Sequence, residues 1–167
     1  DKPDAIYASG YFFTAGPMVS QIRAAGLDQP IVGQEGYDSQ KFIEIAGKAS
    51  EGVMITTSLD RDSSSPETKD FISGFAKKAG YPADMVAASG HTALLVVADA
   101  LKRAGSSDAS ALRNAISKTS LSASTGKISF NGLGEVQKDV QVQVVKDGNW
   151  RHHSVISDAV LLAPPSK

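Results

Sequence analysis

The first third of the chain alternates short apolar runs with segments of helical spacing. Residues 4–9 (Asp-Ala-Ile-Tyr-Ala-Ser) read as a short strand that ends at Gly10. Gly16-Pro17 opens a helix, since proline is tolerated at the first helical position. Met18, Val19, Ile22 and Ala25 then fall on one face, and Gly26 supplies the stop. Residues 30–33 form a second strand. Asp38 or Ser39 is placed to cap the next helix, whose apolar residues are Phe42, Ile43, Ile45 and Ala46, with Gly47 and Gly52 at its exit. Residues 53–57 (Val-Met-Ile-Thr-Thr) form a third strand.

Strands therefore recur about every 24 residues with a helix between each, the pattern of a parallel α/β sheet covered by crossover helices. In such sheets ligands bind beyond the carboxyl ends of the strands. The segments that follow the three strands are residues 10–16, 34–38 and 58–65, and function is to be sought there.

The middle of the chain reads as helical. Ser65-Pro66-Glu67 starts a helix with Phe71, Ile72, Phe75 and Ala79 as its buried stripe, and Gly80-Tyr81-Pro82 ends it. Residues 85–104 give a long helix whose apolar positions nearly encircle it, so burial on most sides is expected. Residues 109–118 give another, with Leu112, Ala115 and Ile116 inward. The last part is β-rich. Residues 126–130 are a strand, residues 140–144 alternate strictly, Asp147-Gly148 is a turn signal, and Trp150 begins a return strand. The tail over residues 163–167 reads as loose.

Composition narrows the classes. The chain has 167 residues, 41% of them hydrophobic and 21% charged, enough for one ordinary core. A formal net charge of -1 and scattered Lys and Arg argue against a nucleic-acid partner. The absence of cysteine removes disulfides, thiolate metal sites and cysteine nucleophiles. No stretch reaches the roughly 20 apolar residues of a membrane span, because Asp99 interrupts the longest. Asp1-Lys2-Pro3-Asp4 has neither an initiator Met nor an apolar leader behind it, which fits a processed or truncated product.

Few residues carry candidate chemistry. Glu35, in Gly33-Gln34-Glu35-Gly36-Tyr37, sits just past a strand end, where a carboxylate either pairs with a ligand's ammonium group or is a solvated loop acid. Tyr11-Phe12-Phe13 sits in the loop between Gly10 and Gly16 and either walls an apolar pocket or plugs a gap between helices. Residues 60–65 are rich in oxygen ligands but lack the glycine and distal glutamate of a calcium loop. His152 and His153 point to opposite faces of a strand and cannot share one ion from there; Asp158 adds nothing to them. His91 lies within a helix. There is no phosphate loop, no Gly-x-Ser-x-Gly elbow and no zinc-protease motif. No catalytic set assembles, and no cofactor or metal is expected.

The order of these segments resembles the leucine/isoleucine/valine-binding protein family, type I periplasmic solute-binding proteins that serve ABC importers. The resemblance rests on Asp4-Ala5-Ile6-Tyr7, Gly10-Tyr11, Gln21-Ile22-Arg23-Ala24-Ala25-Gly26-Leu27 and Gly33-Gln34-Glu35-Gly36. It continues through Ile45-Ala46-Gly47, Glu51-Gly52-Val53, Ala98-Asp99-Ala100-Leu101, Thr125-Gly126-Lys127-Ile128-Ser129-Phe130 and Lys146-Asp147-Gly148-Asn149-Trp150. It implies that Tyr11 and Glu35, with the family's spacing of 24 positions, hold an amino acid, the glutamate meeting its ammonium. Phe12 and Tyr37 are their neighbours in the expected site. Where the family often has Tyr-Asp-Ala on the long helix, this chain has His91-Thr92-Ala93, which leaves His91 without a role by resemblance.

The resemblance further implies a Rossmann-like lobe with a crossover to part of another, and a chain equal to the C-terminal half of the family. Residues 1–58 would belong to the second lobe, 59–132 would cross to the first lobe, and 133–167 would return. The implied function is non-catalytic, extracytoplasmic (periplasmic) capture of an amino acid or related solute for a membrane permease. The N-terminal half would supply the groups that bind the ligand's carboxylate. Without it the long apolar helix would expose a patch that favours pairing with that half or self-association. Two other classes share the pattern: a ligand-sensing domain of a receptor or regulator, and a small flavodoxin-like enzyme, for which residues 10–16 make a poor phosphate loop.

Overall fold

The computed structural model of the chain describes residues 3–163; apart from Ala163, the tail expected to be loose lies outside them. Three strands, β1 (Ile6–Tyr7), β2 (Ile31–Gly33) and β3 (Met54–Thr57), run parallel. Two later strands, β7 (Val140–Lys146) and β8 (Asn149–Ile156), extend that sheet in the order β1-β2-β3-β7-β8. β7 is antiparallel to β3, with Thr57 opposite Gln141. The sheet is therefore mixed, its parallel part being the one expected from the alternating pattern.

Helices α1 (Phe12–Ala24) and α2 (Gln40–Ala46) link the parallel strands. Their apolar faces pack with the sheet around Val19, Ile31, Phe42, Ile43, Val53, Ile55, Val145 and Trp150. A ring stack runs through this core: Tyr37 on Phe42 at 5.1 Å and Phe42 on Trp150 at 5.6 Å. Each such pair is worth about 1 kcal/mol beyond its burial. The Asp147-Gly148 turn forms as expected, both residues with positive φ (52° and 70°), which matches the twist of the β7–β8 hairpin.

Between β3 and β7 the chain builds a separate layer. It comprises α3 (Pro66–Ala79), α4 (Met85–Ala104), α5 (Ala109–Ile116) and a small antiparallel sheet, β4 (Ser120–Ala123), β5 (Gly126–Phe130) and β6 (Val136–Gln137). Leu59, Phe71, Ala83 and Ala88 form one core here, and Val96, Ala123 and Ile128 another. β4 and β6 carry too few apolar residues to stand out in the sequence.

Three expectations change. The first helix begins at Phe12, not Gly16-Pro17: the Tyr11 carbonyl accepts from the N–H groups of Thr14 (3.0 Å) and Ala15 (2.8 Å), and Phe12 packs on the core, so Pro17 lies inside the helix. Tyr11-Phe12-Phe13 is accordingly a helix start and not a loop. Secondly, α4 is not buried on most sides. Ala88, Thr92, Val96 and Ala100 face inward, whereas Val86, Leu94, Val97 and Leu101 form an exposed apolar stripe. Thirdly, at 20 residues α4 is long and apolar enough to cross a bilayer, which no stretch was expected to be; its inward face packs on β4, β5 and α5 instead.

Candidate functional site

The carboxyl ends of β1, β2 and β3 share one edge of the large sheet with the amino end of β7. Each contributes a short segment there, and side-chain bonds stitch the segments together.

Tyr11 is the N-cap residue of α1 and is 63% exposed. Phe13, also exposed, stacks on it with ring centroids 5.9 Å apart and planes 2° from parallel. Phe12 meets Phe13 edge-on at 5.4 Å but turns inward to the core. The open aromatic surface is thus Tyr11 with Phe13, and Phe12 supports it from behind.

Glu35 opens a single 3₁₀ turn, Glu35–Tyr37, just after β2 and is exposed. Gln34 holds this turn against the preceding loop: its Nε2 donates to the Gly10 carbonyl at 2.6 Å and its Oε1 accepts from the Gly36 N–H at 2.9 Å. Gly36 is required by space. A Cβ there would lie 2.3 Å from the Gly10 oxygen and 3.2 Å from Cδ1 of Tyr11. The Tyr11 ring therefore lies against the residue next to Glu35, and the structure brings these two expected site residues to one edge.

Tyr37 takes a different place from the one expected. It is fully buried, its hydroxyl donates to the Ala8 carbonyl at 2.7 Å, and its ring fills the space left by the missing side chain of Gly33. Burial, with a smaller contribution from Tyr7, raises its hydroxyl pKa above the ordinary value of 10.0. No part of it faces the open edge, so its contribution is to hold the Glu35 turn down on β1.

The segment leaving β3 is fastened residue by residue. Asp38, its carboxylate fully buried, accepts from the Thr57 hydroxyl and pairs with the Arg61 guanidinium. Arg61 also donates to the Ala83 carbonyl at 3.2 Å. Asp60 accepts from Gln143 Nε2 at 3.0 Å and meets His152 Nδ1 at 3.0 Å. Asp62 accepts from the His152 N–H (2.8 Å) and from Arg151 Nε (3.0 Å). The oxygen-rich run at 60–65 is thus a structural clamp, and among the described residues no three metal-binding side chains gather. The cap left open between Asp38 and Ser39 is Ser39, whose hydroxyl accepts from the Lys41 N–H at 3.2 Å.

Lys138 completes the edge. It precedes β7, is half-buried, and its ammonium donates to the Ser58 hydroxyl. Burial lowers its pKa below the usual lysine value, and the charge of Glu35 acts in the opposite direction. Sequence reasoning did not single out Gln34, Ser58 or Lys138; Lys138 stands just before β7, 80 residues beyond Ser58, and no spacing rule links them. His91 is accounted for elsewhere, stacked on Phe71 at 4.8 Å with Nδ1 3.1 Å from Ser124 Oγ.

Among the described residues this sheet edge presents an exposed aromatic pair, an unpaired carboxylate and a half-buried ammonium, a combination that suits a small polar ligand. Residues 1–149 match the family model described as periplasmic binding protein, and the chain belongs to that family. It is 28% identical over 134 residues to the leucine-, isoleucine-, valine-, threonine- and alanine-binding protein of Pseudomonas aeruginosa, covering 79% of this chain and 35% of that protein. A leucine-binding protein from Thermotoga maritima superposes with a TM-score of 0.86 at 34% identity, over 93% of this chain and 45% of that one. A Rhodopseudomonas palustris solute-binding protein crystallised with benzoate, 21% identical with a TM-score of 0.83, shares the fold. The chain spans less than half the length of each of these relatives.

Proposed function

We propose that this chain forms one ligand-binding lobe, and part of a second, of an extracytoplasmic protein that captures an amino acid for an ABC-type importer without covalent chemistry. The observation that carries this reading is the Tyr11 ring packed against the Glu35–Gly36 turn at the open carboxyl edge of the sheet. Glu35 takes the ligand's ammonium, and Tyr11 with Phe13 covers its apolar part. The amino-acid names of the P. aeruginosa and T. maritima relatives favour this ligand class.

In this reading residues 1–58 and 133–167 belong to the lobe that holds Glu35, and residues 59–132 to the other. Two separate sheets and separate apolar cores are in keeping with that division. The bare stripe of α4 is the seat of a first-lobe segment that completes the fold, or of a second copy when that segment is absent. A membrane permease is the partner that receives the solute.

The test is Glu35→Gln in the native polypeptide that contains these residues, with amino-acid binding followed by calorimetry. Affinity is expected to fall at least about tenfold, since a charge-assisted bond is lost. Unchanged affinity would remove Glu35 from the site and end this reading.

A further inference from the structure

We propose that Arg61 is a releasable latch between the two layers of the molecule: its guanidinium ties the turn that carries Glu35 to the α3–β6 layer and so sets how the ligand edge faces that layer. Arg61 is a positioning residue, and its effect on binding rests on the proposed function above.

Little else holds the layers to each other. Among the described residues each helix and strand packs mainly within its own layer, and the apolar cores are separate. The Lys138–Ser58 bond joins the two connecting segments, not the layers' helices. Arg61 lies on the segment that leaves β3, and this segment faces both ways. Leu59 is fully buried with Phe71, Ala83 and Ala88 in the core between α3 and α4. Asp60 and Asp62 bond back to β7 and β8. Among the described residues Arg61 is the side chain that bonds to the body of each layer. It pairs with the buried Asp38 carboxylate ahead of α2, and it donates at 3.2 Å to the Ala83 carbonyl just before α4. The Asp38 N–H donates to the Glu35 carbonyl at 3.0 Å. One residue therefore closes the Glu35 turn through its backbone and holds Arg61 through its side chain.

The guanidinium is only half used. Both bonds leave Nη2 and occupy its two hydrogens. Among the described residues Nη1 is enclosed without a partner. Asp38 Oδ2 accepts from the Thr57 hydroxyl and keeps a second lone pair. Turning the fork so that both terminal nitrogens meet the carboxylate gives the bidentate arginine–carboxylate pair and lets go of Ala83. Arg61 makes two bonds in either arrangement, and in neither is Asp38 buried without a counter-charge. The latch therefore opens without breaking the clamp on Asp38, and a ligand that touches both layers holds it shut.

The competing role is stability alone, and a distance between the layers separates the two. Lys48→Cys and Lys77→Cys place one exposed spin label on each layer of the native polypeptide, and these 167 residues hold no cysteine that would compete. Arg61→Lys keeps the charge beside Asp38, but the shorter, forkless side chain does not span to Ala83. Without ligand, this variant is expected to give a broader distribution of label distances that reaches beyond the wild-type range. Saturating L-leucine should restore the wild-type distance, and calorimetry should show L-leucine bound about fivefold more weakly, since binding must now order the layers. Asp62→Asn, which loosens the tie to β8 but does not touch Ala83, should leave the distances unchanged. An Arg61→Lys distribution equal to that of the wild type overturns the proposal, even where the melting temperature falls. If Arg61→Lys does not fold, Asp38→Asn with Arg61→Met leaves no lone charge and takes the same measurement with the same two outcomes. If the wild type binds neither L-leucine nor any other amino acid in a thermal-shift screen, the functional reading falls, and the ligand-free distances still decide for or against the latch.

Discussion

Gln34 bridges two loops at once, donating to the Gly10 carbonyl at 2.6 Å and accepting from the Gly36 N–H at 2.9 Å. The Gly10–Gln34 contact spans 24 residues, the same offset that separates Tyr11 from Glu35. The two proposed site residues thus each have a covalent neighbour, and those neighbours are joined by a hydrogen bond. Gly36→Ala tests how tightly the join is made. Its Cβ would meet the Gly10 oxygen at 2.3 Å, so one loop must move. A stability loss of about 1–3 kcal/mol in urea unfolding is expected, together with weaker ligand binding because Tyr11 shifts relative to Glu35.

Asp38 and Arg61 form the buried centre of the clamp on the segment leaving β3. Asp38→Asn leaves the Arg61 guanidinium largely enclosed without its counter-charge, at a cost of about 3 kcal/mol. The double change Asp38→Asn with Arg61→Met should cost less than the sum of the single changes, because no lone charge remains. Additive losses in denaturant titrations would show that the pair is not a coupled unit.

Tyr37 links stability to alkaline pH. Its hydroxyl keeps its proton to a higher pH in the folded chain than in the unfolded one. The stability it contributes is therefore present below pH 10 and is lost as pH rises above that value. Tyr37→Phe removes the bond to Ala8 and should cost about 1 kcal/mol at neutral pH. It should also flatten the decline above pH 10, which thermal melts across pH 8–11 would reveal.

Leu94 is 72% exposed at the centre of the α4 stripe. Leu94→Lys is expected to leave the melting temperature of the isolated chain nearly unchanged, since little packing is lost. It should reduce any self-association seen by light scattering after size exclusion. A clear fall in melting temperature with no change in mass would mean that the stripe is packed intramolecularly.

Legibility in the sequence followed the range of the interactions. The three parallel strands, their helices and the hairpin turn were readable because periodicity, caps and the Asp147-Gly148 pair act over a few residues. Pro17 misled because proline most often stands at a helix start; here Phe12 finds core packing one turn earlier and carries the start with it. Tyr11 and Glu35 were proposed as a pair only because the family resemblance gives their 24-residue spacing a meaning. Tyr37 was a weaker candidate beside them, and nothing local reveals that Gly33 leaves a ring-sized space beneath it. Lys138, Asp60 and His152 act on partners that are distant in the chain, and only the antiparallel return of β7 and β8 makes them neighbours.

That return also sets an order of events during synthesis. β3 emerges with one side bonded to β2 and the other empty, and it stays so until the chain has grown past Lys138, which is 80 residues beyond Ser58. Closing so long a loop is slow relative to pairing between neighbours in sequence. A nascent chain that stalls before β7 carries an unpaired strand edge and lacks Val145 and Trp150 from its core, so it is prone to aggregate and to be cleared. The β7–β8 hairpin therefore acts as a kinetic gate on folding, and substitutions there would lower the yield of folded protein more than its stability once formed.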